Sequence, residues 1–366
     1  MLALLHDLPR YWMDGAVRTL DGLRRGWSEP FPLHDEPPAV TPSQVVYEGE
    51  KVRLRYYPAV GARQPTPLLI VYALIKRPFI LDLQPGRSVV ESLTKQGFAV
   101  YLTDWIPPTR AENWRGFDAY VNGDLAKVVQ IVQMREDIEQ ISLLGYCLGG
   151  LLSTIYTALH PETIKNHIAL TLPLDMSVRQ IPLYSIVERL SPEIFDLITA
   201  TYGNCPAWLV REAFTSMAPV HHALDKYVGL YRSKEKEGYA EMFDLFERWM
   251  NSDVPLAGQL FRELAKDIFQ HNLLVREQFQ VGGQVVNLRN LTCPVLNIVG
   301  KYDDVVHPQS SLPLCGLVGS HDTQTIVFPT GHIGIAVSSA AHKDLWPRVG
   351  AWLKERGSKE VPSYVA

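Results

Sequence analysis

Three features of the 366-residue chain predict an α/β fold, a mostly parallel central sheet with helices on both faces. Short continuous apolar runs such as PLLIVY (67–72), FAVYLT (98–103) and PVLNIV (294–299) read as strands buried on both sides. Helical segments separate these runs, as parallel crossovers require. Between residues 173 and 284 the alternation stops, the pattern turns helical and rich in aromatics and Met, and then strands resume. That interruption predicts a helical cap inserted into one α/β core.

The elements follow in order. Residues 1–26 have Leu4, Leu5, Leu8, Trp12, Val17, Leu20 and Leu23 at roughly helical spacing, and predict an amphipathic helix. Its apolar face suits packing on its own domain better than docking on a partner or a hydrophobic surface. The Pro-rich stretch 29–42 breaks it. Residues 44–57 alternate in a strand-like way, and 67–72 form a buried strand. A helix is expected over 88–96, then a strand over 98–103 ending at Asp104 and Trp105. A helix over 117–136, a strand over 141–145, a helix over 149–159 and a strand over 167–172 continue the rhythm. Cap helices are expected over 184–199, 208–217, 238–250 and 256–272. Strands at 294–299 and 325–328 and a helix over 345–356 close the core. The predicted organisation is thus a helix and linker (1–40), a core (41–172 and 285–357), a cap (173–284) and a tail (358–366).

Composition removes several function classes. Lys plus Arg number 35 and Asp plus Glu 39, a net charge of −4, which argues against a dedicated nucleic-acid binder. An apolar content of 46% argues against disorder. Four cysteines make no disulfide framework, and none has zinc spacing. The first thirty residues mix Arg10, Arg18, Arg24 and Arg25 with Asp7, Asp14, Asp21 and Glu29, unlike a transit or signal peptide. A cytoplasmic protein with reduced thiols is expected. Residues 141–159 are uncharged and long enough to span a bilayer. Gly145, Gly149 and Gly150 in mid-run favour a buried strand followed by a buried helix, so no transmembrane segment is expected.

The chemistry centres on Gly145-Tyr146-Cys147-Leu148-Gly149-Gly150, which ends an apolar strand and opens an apolar helix. This is the context of a nucleophile elbow, with Cys147 in the place usual for Ser. Side chains at the glycine positions would collide with strand or helix in so tight a turn. The helix N-terminus beside the sulfur favours negative charge and aims the backbone N–H of Leu148 at a developing oxyanion. A buried, inert Cys in a Gly-rich turn is the bland alternative. Two later features weigh against it. Gly300-Lys301-Tyr302-Asp303 follows one strand and Gly331-His332 follows another. The order nucleophile, acid, His is that of the α/β-hydrolase fold, and strand C-terminal ends are where open α/β sheets carry their sites. Cys147, Asp303 and His332 are therefore the expected catalytic residues. A second oxyanion donor is expected in the loop after 67–72, near Leu74 or Ile75. Lys76 and Arg77 in that loop are solvated, or meet an anionic substrate tail.

Neighbouring residues compete for these roles. The G-x-x-D spacing selects Asp303 over Asp304. His307 lies in a Pro-containing loop, and His160 ends a helix. His221 and His222 fall in the cap. Cys205, Cys293 and Cys315 lack the elbow context.

Several segments resemble polyhydroxyalkanoate synthases: VYALIKRPFILDLQPGRSVVESLTKQGFAVYLTDW (71–105), GYCLGG (145–150), WMNSDVPLAG (249–258), GKYDDVVHP (300–308) and GHIGI (331–335). The resemblance covers about residues 40–355 and is greatest to the catalytic subunit of the two-subunit class III enzymes, with class IV next. It implies an α/β-hydrolase fold and polymerisation of (R)-3-hydroxyacyl-CoA, most often 3-hydroxybutyryl-CoA, into polyester with release of CoA. It implies that Cys147 carries the growing chain as a thioester and that His332 activates the thiol. It implies that Asp303 orients His332 or helps deprotonate the substrate hydroxyl. It further implies a second, non-catalytic synthase subunit, a homo-oligomer and a place on intracellular polyester granules. No metal or redox cofactor is expected, acyl-CoA being substrate. The rivals are a Cys-dependent thioesterase or dienelactone-type hydrolase of the same fold and, more remotely, a non-catalytic granule scaffold.

Overall fold

The structure, a computed structural model, describes residues 39–180, 182–217, 245–246 and 248–357. The helix expected over 1–26, most of that over 238–250, His221, His222 and the tail 358–366 lie outside the described residues. The strands are β1 (Gln44–Glu48), β2 (Val52–Tyr57), β3 (Leu68–Val71), β4 (Val100–Trp105), β5 (Ile141–Tyr146), β6 (Ile164–Leu170), β7 (Gln280–Val281), β8 (Gln284–Val285), β9 (Val295–Gly300) and β10 (Thr323–Phe328). Eight of them form one sheet in the order β1-β2-β4-β3-β5-β6-β9-β10. From β4 to β10 every pairing is parallel; β2 pairs antiparallel with both β1 and β4.

Burial explains the run-like sequences. β3, β4, β5 and β9 are buried at every position, since helices cover both sheet faces. The stretch 44–57 is a hairpin rather than one strand, because the charged turn at Gly49–Lys51 reverses the chain and Gly49 N–H donates to Val52 O at 2.9 Å. β6 starts and ends earlier than the apolar run suggests. Its polar Asn166 is kept in the buried sheet by donating to Ser142 Oγ at 3.0 Å, and Thr171, with φ of 47°, ends it. The pair β7–β8 is a small hairpin that the helical pattern of the cap does not foreshadow.

Helices occupy the expected stretches with local departures. α1 (Val89–Thr94) starts at Ser88, whose Oγ accepts from Glu91 N–H at 2.8 Å. The stretch 117–136 is π-helical over Ala119–Leu125, and only then becomes α2 (Ala126–Glu136). α3 (Leu148–Leu159) follows the elbow. The single helix expected over 184–199 is two, α4 (Pro182–Arg189) and α5 (Glu193–Tyr202), because Pro192 cannot continue a helix interior. α6 (Ala207–Met217) and α7 (Gly258–Glu263) follow, the latter continuing π-helically to Gln270. α8 (Trp346–Gly357) closes the fold. Among the described residues no helix is long and apolar enough to cross a membrane.

One buried polar cluster ties α3 to the sheet. His167 on β6 is fully buried, with Thr154 Oγ1 and Thr157 Oγ1 each 3.1 Å from a ring nitrogen. The Thr157 hydroxyl donates to Ser153 O at 2.7 Å, so it accepts from Nδ1–H and leaves Nε2 to accept from Thr154. Burial alone holds the His167 pKa down, to about 3. Because that value lies below the ordinary one, the stability due to neutral His167 is complete above about pH 6.5 and is lost as pH falls towards 3. Between those limits this one group should contribute a slope of about 1.4 kcal/mol per pH unit. Denaturant unfolding of the chain and of His167→Gln between pH 6.5 and 4 should differ in slope by roughly that amount. Equal slopes would contradict a neutral buried His167.

Candidate active site

The parallel register sets the C-terminal ends of the strands along one rim. Val71 stands opposite Gly145, Tyr146 opposite Leu170, and Phe328 opposite Gly300. Cys147 follows the last residue of β5 and immediately precedes α3. Its backbone has φ of 55° and ψ of −122°, a torsion that costs an L-residue about 1–3 kcal/mol. Backbone bonds on both sides hold it there, from Cys147 N–H to Leu170 O at 3.0 Å and from Leu151 N–H to Cys147 O at 3.1 Å. The flanking glycines are required by contact. A Cβ on Gly145 would lie 2.0 Å from Ser153 Oγ and 2.5 Å from Gly150 Cα; one on Gly149 would lie 2.1 Å from Val71 O.

Asp303 lies three residues beyond β9, and His332 four residues beyond β10. The two loops are sewn together by Lys301 N–H to Phe328 O (2.7 Å) and Tyr302 N–H to Thr330 O (3.0 Å). His332 Nδ1 is 2.7 Å from Asp303 Oδ2, with both side chains buried. The other carboxylate oxygen accepts from Val305 N–H at 2.9 Å and Val306 N–H at 2.7 Å. Tyr146 stacks on the imidazole at a centroid separation of 5.3 Å, and its hydroxyl donates to His332 O at 2.9 Å. Burial pulls the His332 pKa down. Asp303 and Cys147, by charge and by hydrogen bonding, more than reverse this and raise it to about 10. With Nδ1 committed to Asp303, Nε2 is the nitrogen left to face Cys147.

The expected oxyanion groups are close to the elbow. Leu148 is the first residue of α3, so its N–H has no intrahelical acceptor. Leu74 and Ile75 are buried in the loop after β3. That loop abuts the elbow: the position of a Gly149 Cβ would be 2.7 Å from Tyr72 O.

Lys76 and Arg77 are neither solvated nor directed at a substrate tail. Lys76 Nζ donates to Asp253 Oδ1 at 2.5 Å, and Arg77 reaches Asp104 at 3.0 Å and Trp105 O at 2.9 Å. The remaining competitors have structural partners. His160 Nε2 is 2.9 Å from Asn122 Oδ1, and His307 caps a short helix through Gln309 N–H. Cys205 and Cys293 are buried, and burial pushes each thiol up to about 12. Among the described residues no group of three His, Cys, Asp or Glu side chains has metal-holding geometry.

Sequence reasoning gave no role to three aromatics at the elbow and the loop after β3. Tyr72, first in the loop after β3, accepts from Trp249 Nε1 at 3.1 Å, and its ring lies 5.7 Å from that of Tyr146. Tyr184, from α4, is buried, and its phenol pKa is raised by that burial and by Cys147, with a smaller contribution from Asp303. Trp249 lies inside WMNSDVPLAG, where a single sequence shows the motif but not what it touches.

The sheet order, the elbow and the strand-end loops define an α/β-hydrolase. The family described as alpha/beta hydrolase fold matches residues 66–338, and a second, described as Poly-beta-hydroxybutyrate polymerase (PhaC) N-terminus, matches 36–93. A solved putative lipase from Sulfolobus solfataricus shares the fold with a TM-score of 0.56 at 17% identity, over 86% of this chain and 93% of that one. Sequence relatives are more specific. A protein named poly(3-hydroxyalkanoate) polymerase subunit PhaC from Haloferax mediterranei is 39% identical over 94% of this chain and 73% of its own length. Proteins of the same name from Allochromatium vinosum and a Synechocystis species are 38% and 36% identical, over 87% and 86% of this chain and 89% and 85% of theirs. The chain belongs to the poly(3-hydroxyalkanoate) polymerase PhaC family.

The His332 environment gives a pH prediction. A pKa of about 10 keeps the imidazole protonated through neutral pH. Asp303→Asn removes a carboxylate that favours the cation, so His332 should titrate about 1–3 pH units lower. NMR titration of the imidazole would read this, and an unchanged midpoint would contradict the assignment of Asp303 as the group that raises it.

Proposed function

We propose that this chain polymerises (R)-3-hydroxyacyl-CoA, with 3-hydroxybutyryl-CoA the expected donor, through a thioester on Cys147. The observation that carries the reading is the strained Cys147 at the start of α3, facing a His332 that Asp303 holds at 2.7 Å, in a chain of the PhaC family.

The steps follow from these groups. The Cys147 sulfur adds to the thioester carbonyl of the donor, and the new oxyanion faces the N–H of Leu148 and of Leu74 or Ile75. The adduct collapses, the carbon–sulfur bond to CoA breaks, and the His332 imidazolium supplies the proton that CoA takes away. His332, now neutral, accepts the proton of the next donor's 3-hydroxyl as that oxygen attacks the acyl-Cys147 carbonyl. An ester forms, the Cys147 sulfur leaves, and the chain, extended by one unit and still a CoA thioester, reacylates Cys147 with release of CoA. Asp303 has one oxygen on His332 and the other on two backbone N–H groups, which favours orienting His332 over deprotonating the hydroxyl. The buried Tyr184, close enough to Cys147 to feel its charge, supplies part of a wall that disfavours water as the acceptor.

The same reading includes the partners. The relatives are named as subunits, which supports a second, non-catalytic synthase subunit of the class III kind. A homo-oligomer and a place on polyester granules belong with it. The chemistry above calls for no metal or redox cofactor.

Purified chain given (R)-3-hydroxybutyryl-CoA, alone and with a candidate second subunit, should release CoA thiol and form insoluble polyester. Cys147→Ala should abolish both and His332→Gln should slow both at least 10²-fold, the scale of general acid–base assistance. Thiol release yielding only free 3-hydroxybutyrate would contradict polymerisation and favour a hydrolase.

A further inference from the structure

The loop that carries Leu74 and Ile75 is fastened mainly by one segment, residues 249–254. Trp249 Nε1 donates to both Tyr72 OH (3.1 Å) and Arg77 O (3.0 Å). Val254 N–H donates to Ile75 O at 3.1 Å, and Arg77 N–H to Ser252 Oγ at 3.4 Å. At the centre is Asp253, whose side chain is 1% exposed. Lys76 Nζ donates to its Oδ1 at 2.5 Å and Arg211 Nε, from α6, to its Oδ2 at 2.5 Å. The Lys76 ammonium also donates to Met250 O and lies 5.6 Å from the Trp249 ring. The core holds the loop's other side. Arg77 bonds Asp104 and Trp105 O, and Trp105 Nε1 donates to Tyr72 O at 2.8 Å.

A buried carboxylate with a cation on each oxygen is costly to desolvate and gives little net stability against an apolar replacement. What it supplies here is geometry, since it fixes Lys76, one residue from Ile75, against both the 249–254 segment and α6. We propose that Asp253 is a positioning residue: through Lys76 it holds the loop after β3 so that its backbone N–H points at the oxyanion formed on acyl transfer to Cys147. The inference rests on the reading of Cys147 as the acyl acceptor. It places Asp253 outside the reacting atoms, acting through the loop.

The test separates oxyanion stabilisation from thiol reactivity. Alkylation of Cys147 by iodoacetamide is displacement at a saturated carbon and develops no oxyanion. Acyl transfer from (R)-3-hydroxybutyryl-CoA, or from p-nitrophenyl acetate as a simple acyl donor, does. In Asp253→Asn the single-turnover acylation rate should fall about 10- to 10³-fold, up to the loss seen when an oxyanion donor is removed. Alkylation should stay within about 3-fold of wild type. Lys76→Met, which leaves Asp253 paired with Arg211, should show the same split, and keeps the test open should Asp253→Asn fold poorly. Equal losses of acylation and alkylation in both variants, or no loss of acylation in either, would overturn the proposal. Wild type accepting acyl groups from p-nitrophenyl acetate but not from the CoA ester would sink the polymerase reading, while the split on p-nitrophenyl acetate still decides the role of Asp253. Wild type accepting from neither donor would overturn both.

Discussion

The left-handed torsion at Cys147 carries its sulfur clear of the strand it ends and the helix it begins, and much of the fold is arranged to maintain it. Left to itself the backbone would relax, at a gain of about 1–3 kcal/mol. It is prevented from doing so by the bond from Cys147 N–H to Leu170 O on β6 and by the first turn of α3. Gly145 and Gly149 let that turn sit directly against β5 and the end of β3, where any Cβ would be closer than van der Waals contact to its neighbours. The buried parallel strands thus do more than form a core. They set the distance between β3, β5 and β6 at which an elbow of this kind can be held.

Charge completes what the torsion begins. The buried sulfur of Cys147 has a helix N-terminus and an imidazole beside it. The imidazole holds its proton because Cys147 and the Asp303 carboxylate, itself anchored by two backbone N–H groups, both favour the cation. His167 shows the opposite outcome: equally buried, but flanked by two Thr hydroxyls instead of a carboxylate, it is kept neutral. One side-chain type is tuned in both directions by whether its partner carries charge.

Whatever depends on local chemistry could be read in the sequence. The apolar runs marked the buried strands, the glycines around Cys147 marked the elbow, and the positions of Asp303 and His332 just after strands placed them on one rim. Less of the stretch 173–284 could be read. Pro192 splits a helix that the apolar spacing alone would continue, and β7–β8 is too short for any periodicity to register. The π-helical start at Ala119–Leu125 leaves no distinct pattern in composition. The partners of Lys76 and Arg77 are hidden in the sequence for a different reason. A basic pair in a loop is ordinarily solvated, and only the tertiary fold brings Asp253 and Asp104 to them. Trp249 and Asp253 stood within a recognisable motif, yet their partners in the loop after β3 lie more than 170 positions away in the chain.

The central claim is that Cys147 carries the acyl chain covalently. The most direct measurement is mass spectrometry of the protein quenched in acid shortly after mixing with (R)-3-hydroxybutyryl-CoA, followed by peptide mapping. A hydroxyacyl adduct on the peptide containing Cys147, released by hydroxylamine and absent in Cys147→Ala, is the predicted result. An adduct on another residue, or CoA release with no adduct on Cys147 at any quench time, would contradict it.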